Sequence, residues 1–188
     1  PSERRIKLLE IAEKYNFIIF EDDCYADLTW ERKRPNAIYS MCKNNRVVYC
    51  GSFSKSIAPA LRVGYVVASW EVISQILAFK NDGGSGAIEQ MILADFCTNY
   101  YYKHVGQLVK DLQNKCDTLI KALEEEFGSI AEYEYPKGGI FLWITFPDNI
   151  DTNRLYTLAA EKNITLNPGS EWVCNSEKGN HKIRLCFA

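Results

Sequence analysis

The chain is poor in the residues that build metal sites. Its 188 residues include two histidines, His104 and His181, and neither sits in an H-x-x-x-H or H-E-x-x-H spacing. No C-x-x-C pair occurs, so zinc is not expected and both histidines read as surface residues. An excess of either charge is missing as well: 22 Lys and Arg stand against 24 Asp and Glu, for a net charge of −2. Disorder requires a larger net charge and fewer apolar groups, and an electrostatic nucleic-acid binder requires a basic surface. Long apolar runs are also absent. The uncharged stretches 63–70 and 138–147 fall short of the roughly 18 residues that a membrane span takes, and the first five residues hold no apolar signal core. Neither nucleic acid nor membrane is therefore expected as a partner of this segment. The chain does not open on Met and reads as part of something longer.

What is present describes a folded domain: 47% of residues are apolar and 24% charged. Seven cysteines (24, 42, 50, 97, 116, 174 and 186) are an odd number. Cys50, Cys97 and Cys186 lie in apolar, strand-like runs. Free buried thiols in a reducing, cytoplasmic compartment fit this better than a disulfide framework.

Periodicity predicts a helix over 2–16, with Leu8, Ile11, Ala12 and Tyr15 on one face and Asn16 ending it. The run Phe17-Ile18-Ile19-Phe20 reads as a strand buried on both faces, the signature of a parallel sheet. Residues 31–46 are polar and irregular. Strands follow over 47–50 and 63–68, then helices over 70–80, 87–101 and 104–127, the last stopped by Gly128. Leu108, Leu112, Lys115, Leu119, Ala122 and Leu123 mark its apolar side. The texture then changes. Strands over 130–135 and 140–146 flank the turn Pro136-Lys137-Gly138-Gly139, Asp151 caps a helix to about 162, and late strands over 164–166 and 182–187 flank the loop 167–170. The first part is an α/β sheet and the last a smaller α+β unit.

Open α/β sheets bind ligands beyond the carboxyl ends of their strands. Two polar clusters occupy such ends: Asp22-Asp23-Cys24-Tyr25 after the first strand, and Ser52-Phe53-Ser54-Lys55 after the second, with Arg62 seven residues on. A lysine in a cationic setting is favoured as the neutral amine that condenses with an aldehyde. Serine hydroxyls and an arginine fork converge on a phosphate, and a carboxylate holds a protonated pyridine nitrogen. These are the groups that pyridoxal 5′-phosphate requires.

The stretches Glu21–Tyr25 and Gly51–Tyr65, followed by Gly138–Trp143, Asn167-Pro168-Gly169 and Ile183–Phe187, resemble in their order the class I/II aminotransferases of PLP fold type I. The branch that contains 2-aminoadipate and kynurenine aminotransferases is the most similar. The resemblance covers nearly the whole chain, and it implies a fold: the later part of a three-layer α/β/α large domain over 1–104, then a small α+β domain over 105–188. It also implies roles. Lys55 bonds the cofactor aldehyde and carries catalysis, Asp22 pairs with the pyridine nitrogen, and Tyr25 bonds the phenolic oxygen. Ser52, Ser54 and Arg62 hold the phosphate, while Arg184 clamps the substrate α-carboxylate. Asp23 is structural.

The implied activity is transfer of an amino group between an L-amino acid and a 2-oxo acid, in a homodimer. The same resemblance leaves two alternatives, a PLP-dependent lyase and the aminotransferase-like effector domain of a bacterial transcription regulator. In those regulators tyrosine directly follows the second aspartate, whereas here Cys24 intervenes, which favours the enzyme. Family members carry about as much chain again before this point, including a phosphate loop and a ring-stacking aromatic. The 188 residues alone are therefore expected to fold without turning over.

Overall fold

The computed structural model describes residues 2–31 and 34–188; Pro1, Arg32 and Lys33, the last two within the stretch expected to be irregular, lie outside the described residues. The chain divides into two compact units, Pro1–Leu108 and Val109–Ala188.

The first unit is built on three strands, β1 (Ile19–Asp22), β2 (Val47–Ser52) and β3 (Gly64–Val67), in the order β1-β2-β3. β1 and β2 are parallel, in a register that sets Ile19 beside Val47 and Asp22 beside Cys50. β3 returns antiparallel to β2, with Ser52 beside Gly64. Helix α1 (Ser2–Tyr15) buries Ala12 against Ile19 and Val47, with Leu8 and Leu9 packed around them. Asn16 ends it at φ 55°, in the left-handed region where asparagine is tolerated.

Several expectations need correction here. The first strand begins two residues later than 17–20 and is not buried on both faces: Ile19 and Glu21 point inward, whereas Phe20 is 66% exposed. Glu21 can be buried because its carboxylate accepts the Ile38 and Tyr39 backbone N–H groups at 2.8 and 2.9 Å and pairs with Arg5 at 3.3 Å. Those amides open a short helix, α2 (Ile38–Met41), inside the stretch expected to be irregular. β3 is exposed along its whole length despite its apolar composition. On α1, Ile11 and Tyr15 remain exposed, and the inward positions are Leu8, Leu9 and Ala12.

Three helices follow: α3 (Trp70–Phe79), α4 (Ala87–Asn99) and α5 (Tyr101–Phe127). α4 and α5 meet at Tyr100, so the break falls before the expected 104. Cys97 lies on α4 and not in a strand. Along α5 the buried stripe is Leu112, Cys116, Ile120 and Leu123; Cys116 and Ile120 take the places assigned to Lys115 and Leu119. Each large apolar side chain so buried contributes about 1.5–3 kcal/mol relative to exposure. Gly128 follows at φ 53°.

The second unit holds a four-stranded antiparallel sheet in the order β4-β5-β7-β6, from β4 (Glu132–Tyr133), β5 (Phe141–Thr145), β6 (Asn167–Pro168) and β7 (Lys182–Cys186). The late strand expected over 164–166 is absent; pairing occurs instead at Asn167 and Pro168, opposite Arg184 and Ile183. β5 alternates as period-two burial requires, with Leu142 and Ile144 inward. Asp151 caps α6 (Thr152–Ala160) by accepting the Asn153 and Arg154 N–H groups at 2.9 and 3.3 Å. Both histidines are half-buried rather than freely exposed: His104 packs edge-on to Phe96 at 5.3 Å, and His181 lies 3.7 Å from Asp148 with 21% of its side chain exposed.

Gly169 and Gly179 meet back to back. A Cβ on Gly179 would stand 2.5 Å from the Gly169 carbonyl, and one on Gly169 would stand 2.7 Å from two backbone oxygens. Backbone cannot swing aside as a side-chain tip can. Gly179→Ala is therefore expected to cost about 1–3 kcal/mol in a denaturant titration. Gly83→Ala, whose Cβ meets nothing within 4 Å, should stay within about 0.5 kcal/mol of the parent. Equal stability of the two variants would refute the close approach.

Candidate functional site

Because β1 and β2 are parallel and β3 is antiparallel to them, the carboxyl ends of the first two strands and the start of the third share one edge of the sheet. Asp22 is the last residue of β1, and the Asp23 N–H donates to the Cys50 carbonyl at 3.0 Å, fixing where the chain leaves the sheet. Ser52 ends β2. One residue further the Phe53 N–H donates to Val63 O at 3.2 Å, which closes the loop 54–62 at its base. That edge thus carries Asp22, Tyr25, Ser52, Ser54, Lys55 and Arg62 from three chain passages. Arg184 lies on β7 in the second unit.

Each side chain has a local reason for its place. Asp22 is exposed and makes an Asx turn, its Oδ1 accepting the Cys24 N–H at 3.2 Å. The Cys24 thiol donates to the same carboxylate; burial, then this bond and the carboxylate charge, push the thiol up to about 11. Tyr25 is 39% exposed, and the Lys55 Nζ lies 5.8 Å from the centre of its ring. Ser52 Oγ accepts the Ser54 N–H at 3.1 Å, which leaves its own hydroxyl hydrogen to donate elsewhere. Ser54 and Lys55 lie in the following turn, with Ser54 half-buried and Lys55 exposed.

Arg62 is the conformational outlier. It closes the 3-10 turn Pro59–Leu61 with φ 51° and ψ 37°. That left-handed region costs an ordinary L-residue about 1–2 kcal/mol. Glycine or asparagine would sit there more easily, yet the position holds a long cation. Its guanidinium makes a 3.4 Å contact with Pro59 O, a weak tether.

Arg184 faces Trp143 and Asn167 across its neighbouring strands. Its guanidinium carbon lies 3.1 Å from the Trp172 ring centre and 4.1 Å from that of Phe141. The Nε is buried without a hydrogen-bond partner among the described residues. A buried charged donor left unpaired is costly, so the donor set fits an anion.

A feature that sequence reading left unassigned surrounds Tyr25. Arg34 donates to Asp23 Oδ2 at 2.7 Å, to Asp27 Oδ1 at 3.0 Å and to the Tyr49 hydroxyl at 2.6 Å. Tyr101 donates to Asp27 Oδ2 at 2.7 Å. Desolvation opposes the charge on Arg34, but its bonds to Asp23, Asp27 and Tyr49 hold its pKa above the ordinary value. Tyr101 and Tyr49 are raised, first by burial. The only sequence signal for the cluster is the pair of aspartates four apart around Tyr25.

Comparison with known proteins places this geometry. The model of the family described as "Aminotransferase class I and II" matches residues 2–188. Among curated proteins, the HTH-type transcriptional regulator YdfD of Bacillus subtilis (strain 168) is 35% identical over 188 residues, covering 98% of this chain and 38% of that protein. The HTH-type transcriptional regulator NorG of Staphylococcus aureus (strain N315) is 35% identical over 191 residues, covering 100% of this chain and 42% of that protein. Among solved structures, the α-aminoadipate aminotransferase LysN of Thermus thermophilus, complexed with N-(5′-phosphopyridoxyl)-L-leucine, superposes with a TM-score of 0.91 at 26% identity, over 100% of this chain and 49% of that one. The kynurenine aminotransferase of Pyrococcus horikoshii, in complex with PMP, gives a TM-score of 0.88 at 30% identity, over 98% of this chain and 46% of that one. The chain spans less than half the length of the curated relatives it matches.

The Asx turn at Asp22 has a chemical signature. With its thiol pushed up to about 11, Cys24 is only about one-thousandth thiolate at pH 8. Iodoacetamide at that pH should modify exposed Cys174 at least ten times faster than Cys24, as read by peptide mass mapping over time. Equal rates would show that the Asp22 carboxylate does not hold the thiol proton.

Proposed function

The chain belongs to the class I and II aminotransferase family, and from that premise we propose that it binds pyridoxal 5′-phosphate through Lys55 and moves an amino group between an L-amino acid and a 2-oxo acid. The observation that carries this reading is the single sheet edge where an amine, a carboxylate, hydroxyls and a guanidinium converge, with Arg62 held in a strained conformation. The residues present fit the cofactor. A left-handed arginine with one weak carbonyl contact is explained by a phosphate dianion, and the free hydroxyl hydrogen of Ser52 supplies a second donor.

In this reading 1–104 is the later part of the cofactor-binding domain and 105–188 the small domain. The bound cofactor supplies an electron sink for the pair left when the substrate Cα–H bond breaks. The Lys55 amine would hold the cofactor through its aldehyde, and once freed by a substrate amine it would serve as general base and then general acid for the substrate α-proton. Asp22 holds a proton on the pyridine nitrogen. Tyr25 would donate to the phenolic oxygen, and the Lys55 Nζ lies 5.8 Å from the centre of its ring. Ser52, Ser54 and Arg62 fix the phosphate, and the unpaired Arg184 Nε–H together with the rest of its fork receives the substrate carboxylate. The phosphopyridoxyl and PMP complexes of the two similar aminotransferases support the choice of cofactor.

A second reading is favoured by the curated relatives, which are named as transcriptional regulators and match this chain end to end. There the same residues bind cofactor and amino acid as a sensing module, without repeated turnover.

Borohydride reduction of the cofactor-treated full-length protein followed by peptide mapping should place the pyridoxyl group on Lys55; an adduct on another lysine, or none, would sink both readings. With an amino acid and a 2-oxo acid supplied together, many product molecules per protein are expected if it is an enzyme. A visible spectral change with no accumulation of the new amino acid would leave the sensing module.

Arg62→Gly separates affinity from folding. Glycine relieves the left-handed cost of about 1–2 kcal/mol and gives back about 0.5–1 kcal/mol in chain entropy, so the cofactor-free melting temperature should hold or rise. Cofactor affinity should fall tenfold or more, since a charged hydrogen bond is worth about 1.5–3 kcal/mol. Unchanged affinity would remove Arg62 from the phosphate site.

A further inference from the structure

We propose that Arg34 is a positioning residue for Tyr25, and through it for Lys55, by clamping the turn 23–27 at both ends. This rests on the assignment of Lys55 and Tyr25 above.

Tyr25 stands at the middle of a tight turn in which the Ala26 N–H donates to Asp23 O at 3.2 Å and the Leu28 N–H to Tyr25 O at 3.0 Å. Leu28, 2% exposed, anchors one end in the core. At the flanks of Tyr25 two carboxylates, Asp23 and Asp27, face the same guanidinium. Arg34 directs Nη2 to Asp23 and Nη1 to Asp27, so one planar fork sets the spacing of two residues that bracket the tyrosine. The clamp is tied at two further points. The hydroxyl of Tyr49, a residue 7% exposed on β2, accepts from the Arg34 fork, and Tyr101 at the start of α5 donates to the second oxygen of Asp27. The Asp23 side chain is only 16% exposed, so the ion pair is shielded from bulk water on that side.

The electrostatics follow from the arrangement. Without the guanidinium, Asp23 and Asp27 are two like charges brought together by the turn, and their repulsion opposes the backbone bonds that shape it. Opening the turn moves the Tyr25 ring, and the Lys55 Nζ stands 5.8 Å from that ring's centre. Among the described residues, the charged and titratable groups around the turn are Asp22 before it, Asp23, Cys24, Tyr25 and Asp27 within it, Arg34, Tyr49 and Cys50 of β2, Lys55 of the following loop, Cys97 of α4 and Tyr101 of α5. Lysine cannot replace the fork, because an ammonium is a point charge and does not fix two carboxylates in one plane.

The test compares Arg34→Ala, Arg34→Lys and the milder Tyr101→Phe in the full-length protein. In cofactor-free protein, hydrogen exchange at the Ala26 and Leu28 amides should speed up tenfold or more in both Arg34 variants and by a smaller factor in Tyr101→Phe. In cofactor-loaded protein, the pH midpoint of the visible absorbance should rise by half a unit or more in both Arg34 variants, because a displaced Tyr25 no longer donates to the phenolic oxygen. A lower melting temperature with unchanged amide exchange and an unchanged midpoint would reduce the cluster to a structural support and overturn the proposal. Restoration of the parent values by Arg34→Lys would also overturn it, by showing that charge alone suffices. If borohydride labels Lys55 in the parent protein and the midpoint stays fixed in the variants, the positioning role fails while the assignment of Lys55 stands. If Lys55 is not labelled in the parent, the assignment itself fails, and the positioning role falls with it.

Discussion

The parallel pairing of β1 with β2 is the constraint on which the first unit depends. Its register places Asp22 beside Cys50, so the chain leaves both strands at the same edge, and the antiparallel return of β3 brings Arg62 back to it. A shift of one residue would send every side chain of β1 to the opposite face and take Asp22 with it. Glu21 guards against that slip. Its carboxylate is satisfied only where the Ile38 and Tyr39 amides and Arg5 meet it, so the buried polar group specifies register where the apolar residues alone would tolerate neighbours.

The two units hold their arginines differently. At the sheet edge of the first, a cation is stretched into an unfavourable backbone conformation and its side chain is left to a loose carbonyl contact. In the second, Arg184 is held stiffly between aromatic faces, and part of its hydrogen-bonding capacity stays open. One site stores backbone strain, the other an unsatisfied donor. Both strains fall on residues whose identity the fold by itself does not require.

Much of this was legible in the residues. The apolar runs around 17–20, 47–50 and 63–68 mark three strands because a sheet core needs them, and the polar clusters that close two of those runs mark the edge. Asp151 and Gly128 announce a cap and a stop by chemistry that acts within a few residues. What stayed hidden depends on distant partners. Glu21 extends β1 only because amides from residues 38 and 39 arrive to satisfy it. β3 is exposed although its composition is apolar, since pattern reports what a face can bury and not what stands opposite. Asn167 and Pro168 pair because β7 reaches them, while the more strand-like 164–166 has no such neighbour. Arg34 sits in a stretch without periodicity, and only its tertiary contacts give it meaning.

Arg184 lies 3.1 Å from the centre of the Trp172 indole, a ring that is itself 47% exposed. Indole emission responds to the charge and polarity beside it. An anion that draws the guanidinium, or shields its field, alters the surroundings of that one fluorophore. The second unit therefore contains its own optical gauge: a change beside the Arg184 guanidinium is written into the colour and intensity of its indole light, with no label attached.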